Sequence, residues 1–194
     1  TQRLQHRLAR DGEALGQVFL RDARAGGERA VADRVEQGPV DLVDEVGPDA
    51  ARYFFLMRRG DSQLNFDLDL AKSQTEENPV FYVQMAHARM SGIFRVAGVA
   101  PEAVDADVRL DALPAPEDRE LLKKLTAFPE VTARAARDLE PNKITGYLEE
   151  LARLAHGWYH KCRVLGEPPE VERARLALAR ATRIVLANGL TLLG

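Results

Sequence analysis

Tyr82 and Arg89 stand seven residues apart in the run from Asn78 to Phe94, NPVFYVQMAHARMSGIF. On a helix, at about 100° per residue, the two side chains point the same way, roughly 10 Å apart along the axis. Their neighbours on that side are Met85, Ala86 and Ile93, an apolar setting for a guanidinium. Sequence-specific RNA recognition splays unpaired bases, stacks them on aromatic rings or guanidinium planes, and hydrogen-bonds their edges. An aromatic and an arginine so spaced can serve two adjacent bases. They can equally form an internal Tyr–Arg contact that knits a bundle together. A second, polar stripe carries Gln84, His87, Ser91 and Arg95. The Gln84 amide and the His87 ring can read a base edge or close an interhelical hydrogen bond.

Other residues invite chemistry and support it less. His156 and His160 share a helix face, and Cys162 follows closely, but a fourth ligand is missing and no metal site is expected. Tyr147 and Trp158 read as core, whereas Tyr159 is a candidate for an RNA-facing surface. Asp67, Asp69, Glu76 and Glu77 read as helix-start charges and surface, so no catalytic residue is expected. Near the C-terminus Arg173, Arg180 and Arg183 lie on overlapping faces with Arg175 nearby. Such a stripe is either a solvated face or a set of phosphate contacts.

These residues need a helical frame, and the punctuation supplies one. Asn78 is a good N-cap, Pro79 suits the first helical position, and the central helix should end near Gly98. Before it, Asp41 can cap a short helix Leu42 to Val46, and Pro48 can open a second that runs to Arg59. A turn follows at Gly60-Asp61-Ser62, and Asp67 can cap a helix running towards Glu77. After it, residues 99–116 read as a connecting loop, with Pro101, Pro114 and Pro116. Helices are then expected from Glu117 to Ala127, from Pro129 to Leu139, from Pro141 up to the break at Gly166-Glu167-Pro168-Pro169, and from Glu170 to Leu193. Residues 1–40 are interrupted by glycines, with Val18-Phe19-Leu20 as a candidate strand and Ala30 to Gln37 as a candidate helix.

Composition sets the outer bounds. The chain of 194 residues is 45% hydrophobic and 29% charged, with one cysteine, so it has room for a sizeable core and suits a reducing compartment. No uninterrupted apolar run of about 18 residues occurs, and no membrane span or leader is expected. A cytoplasmic location follows as the default. The net charge of −3 leaves no overall basic excess for coating nucleic acid, so RNA binding must use a local face.

Three pieces of sequence resemble the junction of catalytic core and anticodon-binding domain in bacterial arginyl-tRNA synthetases. They are Asp49-Ala50-Ala51-Arg52, a form of the DALR signature; Phe66-Asp67-Leu68-Asp69-Leu70-Ala71; and Asn78-Pro79-x-x-Tyr82-x-Gln84-x-x-His87-x-Arg89. The likeness continues more loosely to Gly194. It implies an all-α helical bundle of the class I synthetase anticodon-binding type over residues 41–194, preceded by a short irregular appendage over residues 1–40. It implies tRNA as partner, arginine-specific, with Tyr82 and Arg89 towards bases; Gln84, His87 and Tyr159 remain candidates for bases, and Arg173, Arg180 and Arg183 candidates for the backbone. It also accounts for Cys162-Arg163-Val164-Leu165 as a family turn.

The resemblance also implies what to expect of catalysis. Where the family carries a KMSKS-type loop, this chain has Glu28-Arg29-Ala30-Val31-Ala32-Asp33-Arg34, and no HIGH-type motif is present. The family runs past a Leu-Leu-Gly-like end into a short Pro-Glu-Arg-Met-like tail; here the last residue is Gly194. The expectation is a binding module without cofactor, with ATP and magnesium belonging only to a full-length arginine–tRNA ligase. The alternative is a stand-alone paralogue whose partner is a protein.

Overall fold

The computed structural model describes residues 39–59, 66–105 and 107–194. The candidate strand, helix and activation-loop replacement before residue 39, and the turn at Gly60-Asp61-Ser62, lie outside the described residues. So does the appendage, apart from its last two positions. Residues 39–194 group as one unit, all-helical among the described residues: α1 Pro39–Val46, α2 Pro48–Leu56, α3 Leu68–Lys72, α4 Pro79–Ala97, α5 Pro116–Thr126, α6 Phe128–Asp138, α7 Asn142–Lys161 and α8 Pro169–Leu193.

Several boundaries differ from the expected ones, each for a local reason. The first helix begins at Pro39 rather than after Asp41, since proline is tolerated where no N–H partner is needed. The next stops at Leu56 instead of Arg59, with the Met57 N–H returning to the Tyr53 carbonyl at 2.9 Å. Gly47 joins the two at φ 84°, ψ 153°, a conformation essentially confined to glycine. Asp67 does cap α3, accepting from the Leu70 N–H at 2.9 Å, but that helix ends at Lys72 and does not reach Glu77.

Asn78 is the reason. Its side-chain amide donates to the Ala71 carbonyl at 3.2 Å and to the Ser73 carbonyl at 2.7 Å. Its side-chain oxygen accepts from the N–H groups of Val80 and Phe81 at 3.1 and 3.4 Å. One buried amide thus ends α3 and starts α4, satisfying orphan groups of both helices. From there α4 runs unbroken to Gly98, which is left-handed at φ 66°.

The core is built where α4 packs on α7 and α8, with α5 and α6 closing the far side of α7. Val83, Ala86 and Met90 on α4, and Leu148, Leu151, Ala152, Ala155 and Trp158 on α7, are fully buried. Alanines at these contacts let the helix axes approach; the larger side chains each contribute about 1.5–3 kcal/mol by leaving water. The segment 99–115 holds two 3₁₀ turns, Pro101–Ala103 and Leu110–Ala112, and anchors Val104 and Leu113 in the core.

One helix bears on the expectation about membranes. By length and composition α8 is apolar enough to cross a bilayer. Its apolar stripe is used in packing: Ala174, Leu178, Ala179 and Leu186 face the bundle, and Arg175 is buried in an ion pair.

Candidate nucleic-acid interface

Residues 82 and 89 of α4 and residues 156 and 159 of α7 come together through a histidine. Arg89 Nη1 lies 2.6 Å from His156 Nδ1, and His156 Nε2 lies 3.1 Å from the Tyr82 carbonyl oxygen. The Tyr82 and His156 rings meet at 4.4 Å between centroids, tilted by 52°. The Arg89 guanidinium carbon sits 5.9 Å from the centre of the Tyr159 ring, within cation–π range. Tyr159 remains 43% exposed, so this ring offers an open face beside a cation. Tyr82 and Arg89 are half-buried. They look partly outward and are partly occupied by α7.

His156 itself is buried. Burial holds its pKa below the ordinary value and Arg89 pushes the same way, against the pull of the Tyr82 carbonyl. Both ring nitrogens are engaged, which removes it from any metal-ligand role. Cys162 faces elsewhere, towards Asp118; burial, and then that carboxylate, push its thiol up to about 11. His160 stays exposed with its ring edge-on to Tyr159 at 5.9 Å. No group of three metal-binding side chains gathers among the described residues.

The second polar stripe lies apart from this cluster. His87 is half-buried near Arg183; desolvation, and then that guanidinium, hold its pKa down at about 4. Gln84 is half-buried as well. The C-terminal arginines divide by task. Arg173 is exposed and donates only back to the Pro169 carbonyl at 3.2 Å among the described residues. Arg180 donates to the Val104 carbonyl at 2.8 Å, and Arg183 pairs with Glu102 at 3.7 Å. Those two hold the 99–115 segment against α8.

Arg175 belongs to a buried hub that sequence reasoning missed. Asp118, with no exposed surface, accepts from Arg175 Nε at 3.2 Å and Nη2 at 3.1 Å, from Trp158 Nε1 at 2.7 Å and from the Ala115 N–H at 3.0 Å. Arg175 Nη1 donates further to the Arg163 carbonyl at 2.6 Å. This hub joins α5, α7 and α8 through Trp158, next to Tyr159 near the C-terminal end of α7. Its one signal in the sequence was an acidic residue at the expected start of the helix from Glu117.

The chain as a whole is similar to known proteins over most of its length. The arginine–tRNA ligases of Moorella thermoacetica and Geobacter metallireducens are 52% and 54% identical to it over 158 residues, covering 79% of this chain and 28% of each relative. The chain therefore spans little more than a quarter of the length of these curated relatives. Among solved structures, a Campylobacter jejuni chain assigned as an arginyl-tRNA synthetase matches with a TM-score of 0.74 and 31% identity, over 79% of this chain and 33% of that one. The Thermus thermophilus arginyl-tRNA synthetase matches with a TM-score of 0.64 and 27% identity, over 83% of this chain and 27% of that one. The family described as the DALR anticodon binding domain matches residues 83–194, a stretch that holds Arg89, His156 and Tyr159, and the chain belongs to that family.

Proposed function

We propose that this chain binds the anticodon arm of tRNA, with a preference for arginine-specific tRNA, and that the α4–α7 cluster is where bases are met. The observation that carries this reading is the pairing of a half-exposed Tyr159 ring with the Arg89 guanidinium at 5.9 Å. It offers an aromatic face and a cation with spare donors, the two partners an unpaired base takes. Tyr82 lies two turns before Arg89 on α4, its ring set against His156. Gln84 and His87 lie on the neighbouring stripe, where they would read a base edge only if the bound strand crosses α4. Of the arginines, Arg173 is the best placed to meet a phosphate, because Arg180 and Arg183 already hold the chain's own loop.

As a segment of a longer arginine–tRNA ligase, this module would supply grip on tRNA, and the ATP- and magnesium-dependent chemistry would fall to the remainder of such an enzyme. Cytoplasmic residence follows from a tRNA ligand. The test is filter binding of arginine-specific tRNA against an unrelated tRNA. Arg89→Ala and Tyr159→Ala should each weaken the specific complex about 5- to 150-fold, the equivalent of about 1–3 kcal/mol per stacked base. Tyr82→Ala should do less, since His156 covers part of that ring. Equal, weak retention of both tRNAs by the unaltered chain would overturn the assignment.

A further inference from the structure

The His156 ring touches α4 at three groups: the Arg89 guanidinium, the Tyr82 carbonyl and the Tyr82 ring. A guanidinium has no acceptor and a carbonyl has no donor. The two hydrogen bonds together therefore require Nδ1 to be bare and Nε2 to carry the proton. The ring is neutral and in one tautomer. We infer that His156 is a positioning residue for base recognition: its neutral Nε2–H form holds the Arg89 guanidinium beside Tyr159, and a proton on Nδ1 lets it go. The inference rests on the reading of Arg89 and Tyr159 as RNA-facing.

The physical case is one of preorganisation. Arginine has a long side chain with much rotamer freedom, and a site that has already given up that freedom binds more tightly than one that must lose it on binding. A bond at 2.6 Å to a ring that is itself anchored at its far nitrogen restrains the position of the guanidinium. Once Nδ1 is protonated it becomes a donor facing a donor, with two positive charges in contact. Arg89 must then swing away from the Tyr159 face. The groups facing His156 are Arg89 and Tyr82 from α4, Glu76 from the turn before it, and His160 on its own helix; Arg153, one turn back on α7, acts on Tyr82. Burial comes first in holding the ring below its ordinary value, and Arg89 and His160 add to it, while the Tyr82 carbonyl and Glu76 oppose. Release thus falls on the acid side of neutrality.

Two measurements on the full chain test this. Long-range proton–nitrogen correlation spectra of the RNA-free protein should show His156 as the neutral Nε2–H tautomer at about pH 7.5, and a protonated ring or the Nδ1–H tautomer would overturn the inference. Binding of an anticodon stem-loop with the arginine-specific loop is then compared with one of altered loop, at fixed ionic strength, from about pH 7.5 to about pH 5. The preference should fall by about fivefold or more with acid in the unaltered chain. It should stay level with pH in His156→Asn, whose amide oxygen stands in for Nδ1 and does not titrate. His156→Phe should lose most of the preference at either pH. A preference unchanged by acid in the unaltered chain would overturn the inference, as would full preference in His156→Phe. No preference at any pH would overturn the RNA reading as well. The tautomer, measured without RNA, tells the two failures apart. Should His156→Phe not fold, the tautomer and the pH profile of the unaltered chain still decide.

Discussion

Replacing Asp118 by asparagine removes a charge from a carboxylate that receives four hydrogen bonds in a site closed to water. Both oxygens are in use. One takes Trp158 Nε1 and Arg175 Nε; the other takes the Ala115 N–H and Arg175 Nη2. Whichever way the new amide turns, its NH₂ confronts two donors, and Arg175, only 7% exposed, loses the carboxylate that pairs with it. Breaking one side of a buried pair costs about 3–5 kcal/mol. The remaining carbonyl oxygen places this variant near the lower end, about 3 kcal/mol. For a protein of this size that corresponds to a fall of about 6–12 °C in Tm. Urea and thermal unfolding can be followed by the fluorescence of Trp158, the sole tryptophan of the chain, which donates to that same carboxylate. A loss under about 1 kcal/mol, the size expected of a solvated surface pair, would refute the assignment of this hub as the clamp between α5, α7 and α8.

Three further perturbations probe other parts of the fold. Gly189→Ala would set a Cβ 2.5 Å from Leu148 Cδ2; overpacking of about 1–3 kcal/mol should outweigh the helix-propensity gain of about 1 kcal/mol, and a raised Tm would contradict it. Leu139 is left-handed at φ 56°, ψ 38° and 87% exposed, so Leu139→Gly should stabilise by about 0.5–1 kcal/mol, and calorimetry showing no gain would count against strain there. Histidine titration by NMR should give His87 a midpoint near 4 rather than its ordinary 6.5. Because the folded value is depressed, the associated stability is whole above about 6.5 and is lost as pH falls through about 4. A midpoint near 6.5 would mean that the ring is not desolvated.

Helix order and the frame around α4 were legible from capping and proline chemistry, because Asn78, Pro79 and Gly98 act on their own neighbours. The length of α3 was not, since it is ended by an amide six residues beyond its last turn. Arg89 and Tyr159 could each be named from local pattern and family likeness. Their link could not: it passes through His156, 67 residues from Arg89 in sequence, a residue that no local pattern ties to α4. The C-terminal arginines looked alike in the sequence because charge patterning does not distinguish a solvated guanidinium from one that bonds a carbonyl across the bundle. Arg175 and Arg180 each found such a carbonyl, and Arg183 pairs with the Glu102 carboxylate. The same holds for Asp118, which as a letter is one more acid near a helix start.

The amide that divides α3 from α4 is followed directly by proline, and that order bears on how the protein ages. Spontaneous deamidation of asparagine proceeds when the next residue's backbone nitrogen loses its proton and closes a succinimide ring, and Pro79 has no such proton to lose. Hydrolysis to aspartate would turn a donor to the carbonyls of Ala71 and Ser73 into a repelling anion at that junction. The residue on which the start of the central helix depends is thereby shielded from the commonest chemical decay of its kind.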